Sequence, residues 1–194
     1  MLPFIEWVFE QNTLTKQHLV SYRKMYGPAD DFDNLTMGEW NACEIFYNGM
    51  VQHKDTESDM VNEGDEDALN KLVAVLYRLP KPKYDKVLNS DGDIRMPFNE
   101  NEIDFYKKKI ARWPAAVKMA IVLWYDGCRE HLKEQYDLFD NADSGDGEPG
   151  MFELIRGMCG KRYGNFKEVE KMNVHIVMRE LEMMKKEAEE MPRA

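Results

Sequence analysis

The sequence predicts a mainly α fold: a single helical domain of about seven helices, with an N-terminal helical hairpin and a C-terminal amphipathic helix. Three observations predict it. Apolar residues recur at steps of three and four in stretch after stretch, while the strict alternation of a half-buried strand is hard to find. Capping residues stand where these stretches begin, and proline or glycine stands where they end. At 194 residues the chain can core one domain and carry an appendage. The expected organisation is an N-terminal helical appendage over 1–34, a helical core over 35–140, an acidic glycine-rich linker over 141–150 and a C-terminal helical segment over 151–194.

Leu2 to Phe9 is a short apolar stretch with Pro3 in a first-turn position. Leu19, Tyr22 and Tyr26 fall at helical spacing, and Gly27-Pro28 ends that second arm of the hairpin. Thr36 and Glu39 form a capping box, and Trp40, Cys43, Tyr47, Met50 and Val51 make the inner stripe of the helix after it. Lys54 to Asp67 is a polar, acidic approach to the next helix, whose stripe is Leu69, Leu72, Val73, Leu76 and Leu79, stopped by Pro80 and Pro82. Tyr84 to Pro97 is irregular and compatible with a short hairpin.

Asn99 and Glu102 suit the start of a helix with Ile103, Tyr106 and Ile110 inside, broken at Trp113-Pro114. The strongest helix restarts there. Val117, Ile121, Trp124, Cys128, Leu132, Tyr136 and Phe139 form its spine, and Ala116, Ala120 and Gly127 offer small surfaces for close helix packing. Asp140 to Gly150 reads as linker, and Met151 to Met158 as a short helix ended by Cys159 to Gly164. Asn165 and Glu168 cap the last element, an amphipathic helix with Val174, Val177, Met178, Leu181, Met184 and Ala188 on one face.

A net charge of −10 argues against a general nucleic-acid or anionic-membrane binder, because both need cationic surface. Lys107-Lys108-Lys109 with Arg112 is the local exception and reads as a solvated last helical turn. The longest apolar run, Met119 to Tyr125, is too short to span a bilayer, and the N-terminus lacks the basic start of a secretory signal. Three widely spaced cysteines, Cys43, Cys128 and Cys159, fit a reducing compartment.

No motif argues for catalysis, a metal or a cofactor. An EF-hand register begun at Asp140 places Ala142 and Met151 where oxygen ligands are needed. His18, His53, His131 and His175 have no ligand-spaced companions and read as structural or surface residues. Cys159, flanked by Lys161 and Arg162, has no signature for a base beside it. Fourteen methionines are the compositional oddity, and they suit either core filling or an adaptable apolar binding face.

Three segments carry a resemblance: Leu35-Thr-Met-Gly-Glu-Trp40, Leu72-Val-Ala-Val-Leu-Tyr-Arg-Leu-Pro80, and Asn165 to Leu181 with its Lys-Met-Asn-Val-His string. In that order they resemble small helical proteins encoded among the tail genes of tailed bacteriophages and prophages, taken to be tail assembly chaperones. The resemblance implies a non-enzymatic protein acting by protein–protein binding in the host bacterial cytoplasm, or carried in the virion. Its partner would be a phage structural protein, tape-measure or tail tube, or another copy of itself. Such binding asks for adaptable apolar surface, and Met172, Met178, Leu181, Met183 and Met184 are the residues expected to supply it. The alternatives are a structural virion component for tail or head completion, or a small helical enzyme.

Overall fold

The middle of the chain fixes the architecture. Residues 72–77 (Leu-Val-Ala-Val-Leu-Tyr) are buried without a break, so the end of the helix that carries residues 72–76 is apolar on every side and must be surrounded. That helix is α2 (Glu63–Leu76), and α1 (Met37–Gln52), α3 (Ile103–Ile110) and α4 (Ala115–Gln135) pack around it. A short α5 (Phe166–Glu170) and a long α6 (Val174–Glu190) close the far side of α1. The computed structural model describes residues 12–52, 63–85, 87, 92–136, 138, 156–160 and 163–190. The fold is mainly helical, as the periodicity predicts. The apolar stretch Leu2 to Phe9, the linker and most of the Met151–Met158 helix lie outside the described residues.

The second arm of the expected N-terminal hairpin is not a helix. Residues 12–20 run without regular structure across α4, and the chain then forms a two-stranded ribbon, β1 (Ser21–Tyr22) against β2 (Met25–Tyr26). The turn residues Arg23 and Lys24 both adopt positive φ, 47° and 65°, the backbone of a tight primed turn. Tertiary contacts hold it without the usual glycine or asparagine. The Tyr22 ring meets Trp113 edge-on at 4.8 Å, and Tyr26 exchanges both backbone hydrogen bonds with Arg78 just after α2.

The extended segment is tied to α4 by polar contacts. The Asn12 amide donates to the Leu123 carbonyl at 2.6 Å and to buried Asp126 at 3.1 Å, and the Trp124 indole donates to the Thr15 carbonyl. Gly127 permits this approach: a Cβ there would stand 2.5 Å from the Leu14 carbonyl oxygen. The small residue is therefore used, but by a crossing strand of chain rather than by a helix. Ala116 and Ala120, expected to share that role, are exposed. Of the predicted spine, Ile121, Trp124, Cys128, Leu132 and Tyr136 are buried. Tyr136 is already extended and ends the helix.

Beyond α2 the irregular segment does fold back on itself. Lys81 and Ile94, and Met96 and Leu79, share backbone hydrogen bonds around a bridge between Pro80 and Arg95. Asn99 caps a 3-10 turn, Glu100–Glu102, that leads into α3. The Asn165/Glu168 capping box is formed, with bonds of 3.2 and 2.7 Å. It starts only the short α5, however. The chain breaks at Lys171–Asn173, and Asn173 begins α6 by accepting from the His175 amide at 2.9 Å.

Candidate functional site

α6 was the expected binding face, and the structure turns most of it inward. Val174, Val177, Met178 and Leu181 are core residues, Met178 completely buried and Leu181 3% exposed. Met172 and Met184 pack against that core, and of the five expected residues Met183 alone is well exposed, at 43%. The reason is ordinary packing. An apolar helical stripe is buried wherever a complementary apolar surface lies within reach, and the body of this chain offers one. Ile176, 52% exposed and seven residues before Met183, is another outward apolar residue of α6.

The start of α6 is joined to the start of α1. The Met37 amide donates to the Met172 carbonyl at 2.9 Å, the Val174 amide donates to the Leu35 carbonyl at 3.0 Å, and Thr36 bridges Asn173. The Asn173 side chain adds a bond to the Asp33 carbonyl at 2.8 Å. His175 reaches the same loop. Its Nε2 lies 2.6 Å from the Asp31 carbonyl oxygen and its Nδ1 3.3 Å from the Tyr136 hydroxyl, so it is a structural tie between α6, α4 and the loop. Asp31 itself stands at φ 48°, ψ 34°, with His131 at 3.6 Å from its carboxylate. The neighbouring thiol of Cys128 is no nucleophile there, because burial pushes it far above the ordinary range.

Directly beneath this joint sits a buried ionic cluster. Glu39, the acid of the capping box, is completely buried. It accepts from the Thr36 amide at 2.7 Å, while the Glu39 amide donates to the Thr36 hydroxyl at 3.3 Å. Its other oxygen pairs with Arg78 and, at 3.3 Å, with Arg95. Arg95 is also fully buried and forks onto Asp93 at 2.9 Å, and it donates to the Leu76 and Asn34 carbonyls. Arg78 donates to the Met96 carbonyl at 2.7 Å and to that of Val75. Burial alone would raise the Glu39 carboxyl, yet the two guanidinium groups hold it below the ordinary carboxylate value. Burial pulls Arg78 down, whereas the acids around Arg95 outweigh burial and hold it up. Two acids and two guanidinium groups leave the cluster neutral, with each charge paired.

Chemically the cluster is closed. Its groups face one another and backbone carbonyls, so its effect is to lock α1, the end of α2 and the 93–96 segment into one geometry. A second network ties α1 to α4: Arg129 forks onto Glu44 at 2.8 and 3.0 Å, Tyr125 donates to Glu44, and Tyr47 donates to Asp126. Among the described residues no group of three His, Cys, Asp or Glu side chains is arranged to hold a metal ion, and no helix is long and apolar enough to cross a membrane.

No family model, no curated protein and no solved structure matches this chain.

Sequence reasoning found the capping box but not the ionic cluster it belongs to. Arg78 and Arg95 were hidden because the acid they share, Glu39, lies far from both in the chain. The readable signal is Arg78 itself, a lone cation following the buried apolar run of residues 72–77, and such a cation demands a buried acid somewhere.

Proposed function

We propose that this chain is a non-enzymatic tail assembly chaperone or tail accessory protein of a tailed bacteriophage or prophage, working by binding another protein. One observation carries the reading. The three segments of the resemblance are the three that lock together: Glu39 of the first pairs with Arg78 of the second, and Leu35 and Met37 of the first bond to Val174 and Met172 of the third. Segments fastened to one another in this way form one unit of the fold, and that joint use supports reading them as one pattern.

The client in this reading is a tape-measure or tail-tube protein, met in the host bacterial cytoplasm. Met183 and Ile176 on α6 are the apolar contacts left available, and Met172 and Met184 flank them half-buried. Sulfur-rich side chains adapt to varied apolar partners, which suits an escort for a long helical client. Affinity capture from prophage-induced cells, run beside mass spectrometry of purified virions, tests it. Capture of a tape-measure or tube protein by a chain missing from particles is the expected result. The chain in fixed copy number within particles moves it to a structural virion component, and capture of neither client refutes the tail reading.

A further inference from the structure

Among the described residues of this acidic chain, two distant parts of the sequence build a strongly cationic region. In α3, Tyr106 and Ile110 face the core, which fixes the rotation of the helix. At about 100° per residue, Lys107 and Asp104 then lie on one flank and Phe105, Lys109 and Arg112 on the other, with Lys108 at the outer edge. The first flank is neutralised: Lys107 bonds Asp67 of α2 at 2.9 Å and Asp104 at 3.1 Å. The second is not. Lys108, Lys109 and Arg112 are exposed and have no acid partner among the described residues.

The β1–β2 turn enlarges that flank. Its tip residues Arg23 and Lys24 are exposed and likewise carry no ion pair among the described residues. Arg23 donates to the Arg112 carbonyl at 3.2 Å, which brings the tip against the end of α3. Phe105, 51% exposed, lies beside these cations with the Lys109 ammonium 4.7 Å from its ring centre. Favourable charge at a helix C-terminus accounts for about half an elementary charge, far less than five cations.

We propose that this flank, formed by Phe105, Lys108, Lys109 and Arg112 with Arg23 and Lys24, docks an acidic protein segment that also presents an apolar side chain. Carboxylates would pair with the free cations, and the apolar side chain would cover the Phe105 ring. The compactness of the patch decides for a short acidic segment over nucleic acid. A polyanion with a charge every few ångströms soon leaves the patch and runs over the surface of a chain whose net charge is −10. A short segment ends where the cations end. The proposal is independent of the tail reading, since it uses other elements, α3 and the β1–β2 turn, and names its partner by chemistry alone.

The test is fluorescence anisotropy with a labelled synthetic peptide of glutamates interrupted by phenylalanine, titrated with the full chain at low and physiological salt. Labelled oligothymidylate forms the second arm. The expected result is salt-sensitive binding of the peptide, tighter than that of the oligonucleotide. Lys108→Glu/Arg112→Glu is expected to weaken it by about tenfold or more, as close attraction becomes repulsion. Lys167→Glu/Lys171→Glu, the same charge change on exposed residues elsewhere, is expected to weaken it by no more than about twofold. Lys108→Gln/Arg112→Gln, which puts no acid at the end of α3, should weaken it by an intermediate factor, and circular dichroism checks that each variant folds as the parent does. Absence of peptide binding, equal losses in the two reversals, or tighter binding of the oligonucleotide each overturns the proposal.

Discussion

Glu39→Gln separates two roles of one residue, helix cap and buried counter-charge. If Glu39 mattered as a cap alone, glutamine would replace it well, because its amide oxygen can accept from the Thr36 amide as the carboxylate does at 2.7 Å. In the structure Glu39 is also the acid between Arg78, 3% exposed, and Arg95, fully buried. The substitution turns a neutral buried cluster into one of net charge +1. Arg95 keeps Asp93, and Arg78 keeps two backbone carbonyls, so the loss falls at the low end for breaking a buried pair, about 3 kcal/mol. Thr36→Ala removes the cap alone and should cost about 1 kcal/mol. With a urea dependence of about 2 kcal/mol/M, the midpoints drop by about 1.5 M for Glu39→Gln and about 0.5 M for Thr36→Ala. Urea titration followed by tryptophan fluorescence reads both, since Trp40 is the next residue along α1. A drop for Glu39→Gln no larger than that for Thr36→Ala would refute the ionic role, and Glu39 would be a cap and nothing more.

The same cluster predicts a reversal: Glu39→Met/Arg78→Met leaves the Arg95–Asp93 pair neutral, so in urea the double variant should be more stable than Glu39→Met alone. Acid titration supplies another check. The folded Glu39 carboxyl titrates below its ordinary value of 4.5, so its contribution is complete above that pH and is lost as pH falls through the lowered folded value. Thermal melts of the parent should fall over that acid window, and those of Glu39→Gln should be flatter there. Gly127→Ala trades a helix-propensity gain of about 1 kcal/mol against a clash with the Leu14 backbone, and a net loss of about 1–2 kcal/mol is expected by thermal melting. A stabilised variant would mean that residues 12–15 do not cross there. Asn173→Ala removes a cap and the Asp33 bond, and a loss of about 1–2 kcal/mol should appear in the same melts.

Much of the fold is legible in the sequence, wherever local pattern and tertiary packing agree. Most of the stripes of α2 and α4 and the Thr36/Glu39 and Asn165/Glu168 boxes are there, but α2 ends at Leu76, before Leu79 and Pro80, because Arg78 pairs with the backbone of Tyr26 instead. The N-terminal arm is misread because Leu19, Tyr22 and Tyr26 imitate a helical face. What decides their conformation is Trp113 and the backbone of Arg78, far along the chain. Arg23-Lys24 gives no primed-turn signal, since neither residue favours positive φ. The expected site reaches the surface only in part, for a different reason. Periodicity reveals that α6 has an apolar face and says nothing about whether a partner or the chain itself covers it, and Met178 and Leu181 turn out to be covered by the chain. The cationic flank was visible only as Lys107 to Arg112; folding splits it, spending Lys107 on Asp67 and adding Arg23 and Lys24.

The stitch between Asn173 and the Asp33 carbonyl, 140 residues apart in the chain, has a consequence for synthesis. On a ribosome adding about 5–20 residues per second, the loop ahead of α1 waits roughly seven to thirty seconds for its last neighbours. Through that interval Leu35 and Met37 emerge with the Met172 carbonyl and the Val174 amide still unmade, so the entry to the first long helix is the final part to be fastened. Chains stalled before residue 172 should therefore carry an open seam along α1 into which a separate peptide spanning 163–190 can fit. That complementation would rebuild the protein from two pieces along a boundary set by hydrogen bonding rather than by any linker.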